Sequence, residues 1–483
     1  MSATNPPHIV LLVSPGAGAG HLRPVAELAR RLAADHGFTA TIVTYTNHSS
    51  PTQYSSVLSS LPPSITTTAL PEVPTDDLPN HARIETRLIT VVRRTLPHLR
   101  DLLRSLSDAR AGVAAFLADV FCPSALEVAA ELGIPRYVVF TSNLMALASF
   151  LYLPEQDRTT TCEYRDLPEA VLFPGCVPLR GADLTDAIQD RANPAYPHMV
   201  DLGRQYLLAD AFIVNTLDGM EHDAISAFQE LSDNGVYPPV YPVGPIARQR
   251  SDEDAQHGCL RWLDGHAAGS VLYVCFGSGG ALSVEQTLEL AAGLEASGQR
   301  FLWVVRFPSD KDCSAGYLGS PADNQNHGED PLSYLPEGFV ERTSRTGLAV
   351  PLWAPQVEIL NHPSVGGFLS HCGWNSTLES AAAGVPMVAW PLFAEQRMNA
   401  VMLQERTGMA LRPKAREGDG VVPREEVAAA VKELMTGEKG ETARLKAREM
   451  RDAVAVPLAP DGPARRALEA VASKWKSRDG TGE

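Results

Sequence analysis

Cysteine is scarce in this chain: Cys122, Cys162, Cys176, Cys259, Cys275, Cys313 and Cys372 are the only seven among 483 residues. They are odd in number, scattered and nowhere spaced C-x-x-C. That argues against a disulfide framework or a zinc site and for reduced thiols in a cytoplasmic protein. Positive charge is also in deficit, with 41 Lys and Arg against 57 Asp and Glu and a formal net charge of −16. Nucleic acid and anionic membranes reward basic surfaces, so neither is expected as a partner. Long apolar runs are missing as well. No stretch reaches the about eighteen apolar residues of a membrane span. The amino-terminal run Ile9–Val13 is too short, and lacks the basic flank, for a signal peptide.

What is present fits a globular protein: 44% hydrophobic and 20% charged residues. The length exceeds one ordinary core, so two domains of about 200 to 250 residues are expected. Short apolar runs alternate with helical patterns, the mark of an α/β chain with doubly wound parallel sheets. Strands are expected at Ile9–Val13, Thr39–Thr44, Ala115–Asp119, Arg136–Phe140 and Ala211–Asn215, with a helix over Leu22–Asp35. The Pro-rich stretch Val236–Pro245 and the charged run after it have linker composition. The pattern then restarts with strands at Ser270–Cys275, Arg300–Val305, Leu348–Pro351, Gly366–Leu369 and Pro386–Trp390. The expected division is an amino-terminal domain over 1–246, a linker over 247–258 and a second domain over 259–458. A carboxy-terminal helix, 459–483, is expected to pack back on the first domain.

Two segments carry chemistry. The first, Ser14-Pro-Gly-Ala-Gly-Ala-Gly-His21, follows the first strand and nearly matches the dinucleotide fingerprint G-x-G-x-x-G, but its last position is His21. No acidic residue closes the second strand to grip a ribose, which disfavours a nicotinamide oxidoreductase. A histidine near its ordinary pKa of about 6.5 suits a general base, provided a carboxylate orients the ring. Asp119 ends the strand Ala115–Asp119 and falls at the same sheet edge as the His21 loop. The plainer reading is that each caps a helix.

The second segment runs from Trp353 to Gln396. Its strand ends in Ser370-His-Cys-Gly373 and gives way to a helix beginning near Asn375 and Ser376, an arrangement that favours an anion. Trp353 and Trp374 could stack on a base or lie against a sugar. Ser376-x-x-Glu379 also reads as a capping box.

Taken whole, Trp353–Gln396 resembles, without a gap, the nucleotide-sugar signature of plant UDP-dependent family 1 glycosyltransferases. Phe276-Gly-Ser-Gly-Gly280 and the early His-Leu-x-Pro add to the likeness. Leu172-Phe-Pro-Gly-Cys-Val-Pro178 and Arg83-Ile-Glu-Thr-Arg87 resemble the hydroquinone and small-phenol subgroup. The resemblance implies the GT-B fold, two Rossmann-like domains facing across a cleft, and UDP-glucose as donor substrate with no cofactor and no metal. By motif position Trp353 would stack on uracil, Ala354 would pair with it through its backbone, and Gln356 and Glu379 would hold the ribose. His371, Asn375, Ser376 and Ser278 would bind the diphosphate, with Gly373 beside them. Trp374, Glu395 and Gln396 would hold the sugar, and Gln396 implies glucose over galactose. His21 would be the base and Asp119 its orienting acid, giving inversion to a β-glucoside of a small phenol such as a hydroquinone, a phenylpropanoid or indoxyl.

The acceptor pocket is expected from the first half, with Ile84, Phe121, Leu144, Phe150 and Tyr152 as candidates, each of which also reads as core. A monomer is expected. The lone D-x-D match, Asp252-Glu-Asp254, reads as a solvated run. A catalytically silent sugar-nucleotide-binding protein is the other reading. One departure stands out: relatives have one residue between Ser-Pro-Gly and Gly-His, whereas Ala17-Gly18 reads here as an insertion before Ala19-Gly20-His21.

Overall fold

The computed structural model describes residues 6–479 except 17, 49–56, 80–81, 111, 247–256, 312 and 315–329. Residues 247–256 of the charged linker, with its D-x-D match, and Ala17 of the apparent insertion therefore lie outside the described residues, whereas the expected linker's last two residues cap and open the helix Gly258–Asp264. Among those described, the first sheet is built from β1 (His8–Leu12), β2 (Thr39–Tyr45), β3 (Ile65–Leu70), β4 (Ala115–Asp119), β5 (Arg136–Phe140), β6 (Ala211–Val214) and β7 (Val240–Pro242). Their order is β3-β2-β1-β4-β5-β6-β7, and every pairing is parallel. The second sheet holds β8 (Val271–Cys275), β9 (Arg300–Val305), β10 (Gly347–Pro351), β11 (Val365–Ser370), β12 (Met387–Ala389) and β13 (Ala410–Leu411). It runs β10-β9-β8-β11-β12-β13 and is parallel throughout.

The central strands are continuous apolar runs because helices cover both faces; β1 and β4 are buried at every position. The edges differ. β3 reads Ile-Thr-Thr-Thr-Ala-Leu and buries only Ile65 and Leu70, so hydrophobic patterning does not reveal it. β7 lies inside the stretch whose proline content suggests a linker. It is an edge strand paired to β6 with Pro242 opposite Val214, and an edge tolerates the missing ladder donor of a proline.

Two compact units result. One runs to residue 247 and takes in 456–483; the other covers 248–455. The helix Pro463–Asp479 belongs to the first through Leu468, Val471, Ala472 and Trp475, which lie in one core cluster with β1 and β2 residues. Trp475 is fully buried, edge-on to Phe38 at 5.7 Å and to Tyr137 at 5.1 Å. Within the described residues no helix is long and apolar enough to cross a membrane.

In each sheet the strand order reverses once, between β1 and β4 and between β8 and β11. Loops leaving the carboxyl ends of such strands diverge to opposite faces and leave a crevice, the usual ligand position in open parallel sheets. His21 and Asp119 flank one reversal. Ser278 and His371 flank the other.

His8 at the start of β1 has a structural task. Its Nδ1 lies 2.8 Å from the Thr39 hydroxyl and its Nε2 3.0 Å from that of Thr41. Burial, helped by the charge of Arg110, lowers its pKa to about 4. The folded value is below the unfolded one, so between pH 6.5 and 4 the unfolded chain holds the extra proton and stability falls as pH falls. Over the whole window the loss approaches roughly 3 kcal/mol. In His8→Gln the urea midpoint should fall less between pH 7 and about 4.5 than in the parent; equal falls would exclude this role.

Candidate active site

At the first reversal, β1 ends in a loop that feeds the helix Gly18–His36. That helix starts four residues earlier than the hydrophobic pattern indicates, so Gly18 and His21 both sit in its first turn. Asp119, the last residue of β4, has no exposed surface, while 17% of the His21 side chain is exposed. His21 Nδ1 lies 2.9 Å from Asp119 Oδ2 and 3.2 Å from Oδ1. Two further groups complete the carboxylate's shell. The main-chain N–H of Ser14 donates to Oδ2 at 3.0 Å, and the Thr141 hydroxyl donates to Oδ1 at 3.4 Å while lying 3.2 Å from His21 Nδ1.

Burial alone would raise the Asp119 pKa, but the His21 ring and the Ser14 donors outweigh it and hold the carboxyl below its ordinary range. An ionised carboxylate only accepts hydrogen bonds, so Nδ1 of His21 carries a proton, and whenever the ring is neutral its lone pair is on Nε2. Phe121 packs beside the ring, with centroids 6.1 Å apart and planes 32° apart. Its main-chain N–H donates to the Ser14 hydroxyl at 3.2 Å. Ser14 and Thr141 escape the sequence reading because nothing in their spacing marks them. They qualify only by following β1 and β5 at the carboxyl edge.

The other acceptor candidates separate. Ile84 is half-buried at the start of the helix Ile84–Arg110. Leu144, Phe150 and Tyr152 share the helix Leu144–Thr159. Its first amides, Leu144 and Met145, donate at 2.9 and 2.8 Å to the buried carboxyl of Glu221, a contact that sequence spacing does not suggest. Leu144 is fully buried, and Phe150 belongs to an aromatic core group with Phe140 and Tyr206. Tyr152 stands with Phe173 and Tyr237. Phe121 alone of the five has a ring contact with His21 among those resolved.

At the second reversal, the loop after β8 carries Ser278, which is exposed, and β11 ends one residue before His371. The helix Trp374–Ala383 follows with Gly373 at its N-cap and no side-chain cap. The capping-box reading fails here, since Ser376 lies inside the first turn. Its hydroxyl accepts from Gln356 Nε2 at 2.9 Å, and Glu379 Oε2 accepts from the same nitrogen at 2.7 Å. Gln356, Ser376 and Glu379 thus form one polar group.

The His371 ring lies between Gly277 and Gly373, where an added Cβ would come within 2.5 and 2.4 Å of Nε2. Only glycine permits this approach, and Gly277 also has a φ of +74°. Burial, opposed by the main chain of Cys275, lowers the His371 pKa to about 4, so the ring is neutral at pH 7. Its Nδ1 is buried without a hydrogen-bond partner.

Trp353 is 45% exposed and meets the His257 ring edge-on at 5.8 Å; Ala354 beside it is buried. Trp374 is only 3% exposed, so its indole lies mostly in the packing of the unit. Asn375 is half-buried one residue on. Glu395 is half-buried at the start of the helix Gln396–Val401. The Gln396 Oε1 accepts from the amides of Leu392 and Phe393 at 2.9 and 3.1 Å, which leaves its NH₂ as the group able to serve a ligand. Three non-glycine residues hold positive φ in this region, Leu352 (63°), Cys372 (63°) and Ala394 (54°), each adjacent to a candidate donor contact. Such conformations persist where surrounding structure enforces them, and they cluster at functional sites.

Comparison with known proteins identifies the family. The family described as UDP-glucoronosyl and UDP-glucosyl transferase matches residues 236–452. A hydroquinone glucosyltransferase from Rauvolfia serpentina is 46% identical over 473 residues, 98% of each chain. UDP-glycosyltransferase 72B1 from Arabidopsis thaliana is 45% identical over 99% of this chain and 98% of its own. Among solved structures, a UDP-glucosyltransferase from Polygonum tinctorium capable of glucosylating indoxyl, in complex with 3,4-dichloroaniline, superposes with a TM-score of 0.90. It shares 45% identity over 98% of this chain and all of its own. The chain therefore belongs to the plant UDP-dependent family 1 glycosyltransferases, and its two Rossmann-like units are those of the GT-B fold.

Proposed function

We propose that this glycosyltransferase moves glucose from UDP-glucose to the hydroxyl of a small phenol, with inversion, and that His21 is the general base. The observation that carries the reading is the 2.9 Å contact between His21 Nδ1 and a fully buried, ionised Asp119. A phenol with a pKa of about 10 is not ionised at neutral pH and needs a base as it attacks. The Nε2 lone pair takes the phenolic proton while the oxygen bonds to the anomeric carbon and the bond from that carbon to the UDP oxygen breaks. One displacement at an α-linked donor yields the β-glucoside. Asp119 keeps the ring in the working tautomer and stabilises the imidazolium that forms. Ser14 and Thr141 hold Asp119.

On the donor side, Trp353 is assigned to the base, Ala354 to its edge, and Gln356 with Glu379 to the ribose. Ser278, His371, Gly373, Asn375 and Ser376 take the diphosphate at a helix start, where main-chain N–H groups and the helix dipole favour anions. His371 enters as a neutral donor, and an arriving diphosphate favours its protonation. Trp374, Glu395 and the NH₂ of Gln396 take the sugar. Hydroquinone-like phenols are preferred as acceptors because a relative named as a hydroquinone glucosyltransferase aligns over nearly the whole chain. Phe121 beside His21 supplies an aromatic wall for a flat ring. The donor groups named here answer the diphosphate charge without a metal ion.

Incubation with UDP-glucose and hydroquinone should give a hexose adduct by mass spectrometry and a β-anomeric signal by NMR; an α-anomer would contradict inversion. His21→Ala should lower kcat by about 10²–10⁴-fold at saturating acceptor, and near-normal turnover would remove His21 as base. Asp119→Asn should cost at least about 10²-fold through loss of the tautomer and of imidazolium stabilisation. Excess EDTA should leave the initial rate unchanged; a loss restored by a divalent ion would show that a metal shares the diphosphate.

A further inference from the structure

Of the non-glycine residues at positive φ, Cys372 lies between two candidate diphosphate contacts, His371 and Gly373, and is fully buried. Its φ of 63° is unfavourable for any residue with a Cβ and needs something to hold it. The holding contact comes from an element distant in sequence. Asn399, also without exposed surface, donates from Nδ2 to the main-chain oxygen of Cys372 at 2.9 Å. The Cys372 N–H donates to the Ser370 hydroxyl at 3.3 Å, so the turn is fixed on both sides. Asn399 sits on the helix Gln396–Val401, whose first side chain ties down the amides of Leu392 and Phe393. One short helix therefore holds both the loop of the expected sugar contacts and the turn of the expected diphosphate contacts. The turn has little slack, since the His371 ring already fills the space where Cβ atoms on Gly277 and Gly373 would stand.

We infer that Asn399 is a positioning residue for the diphosphate of the donor: it locks Cys372 in its left-handed conformation and so sets His371 and the Gly373 helix start against a single anion. The inference rests on the donor assignment proposed above. Asn399 touches no reacting atom in this account, and its loss should act on phosphate recognition rather than on the uridine half.

The test is calorimetric titration of UDP and of UMP, which lacks the second phosphate, into the parent protein, Asn399→Leu and Asn399→Ala. Asn399→Leu keeps about the same volume and removes the donor without adding charge; Asn399→Ala removes both and serves if the leucine does not fold. Each variant should bind UDP about tenfold more weakly, because a buried carbonyl loses its partner and the turn relaxes, with UMP affinity held within about twofold. Equal weakening of UDP and UMP, or no weakening of either, would overturn the inference. A parent protein that binds no UDP would instead remove the donor assignment beneath it.

Discussion

Asp119 carries a charge with no exposed surface at the carboxyl end of a central strand. Such a group is expensive unless its oxygens are met by donors. Three elements meet them: the loop after β1 through the Ser14 N–H, the first turn of the following helix through His21, and the residue after β5 through Thr141. Each comes from a strand next to β4 or from the loop that strand feeds. The sheet order β1-β4-β5 therefore has to be correct before the carboxylate can stay ionised. The catalytic chemistry proposed for His21 depends on that satisfaction, because a protonated Asp119 would no longer fix which ring nitrogen holds the proton.

The second unit meets a related demand by other means. Where the first uses a buried carboxylate to orient a histidine, the second uses close backbone packing. Gly277 and Gly373 enclose the His371 ring, and burial keeps it neutral. A neutral imidazole brings no fixed charge to desolvate, which suits the diphosphate contact proposed for His371. The left-handed residues Leu352, Cys372 and Ala394 bend the chain sharply beside the residues proposed to contact the donor. Both proposed sites fall at strand-order reversals, the one place in each sheet where adjacent loops part.

Much of this was legible in the residues, and the gaps have physical causes. Strands buried on both faces, such as Ile9–Leu12 and Ala115–Asp119, announce themselves as apolar runs. β3 does not, because an edge strand can be built from threonines, and β7 is disguised by prolines that only an edge accepts. His21 and Asp119 could be paired from sequence because each follows or ends a recognisable strand. Ser14, Thr141 and Glu221 could not, since a main-chain N–H, a hydroxyl and a buried helix anchor leave no spacing signature. The apparent Ala17-Gly18 insertion resolves in part: Gly18 opens the helix and leaves His21 within reach of Asp119. Acceptor-side residues were the least legible, because pocket and core draw on the same apolar side chains, and Phe150 is as well explained by its core neighbours Phe140 and Tyr206.

The central claim is that an ionised Asp119 holds His21 with its proton on Nδ1 and its lone pair on Nε2. The measurement closest to it is the nitrogen-15 NMR spectrum of the histidine side chains at about pH 8, with His21 assigned by substitution. The account expects His21 as the Nδ1–H tautomer, with that preference lost in Asp119→Ala. A His21 ring protonated on Nε2 in the parent protein, or a tautomer indifferent to Asp119, would contradict it.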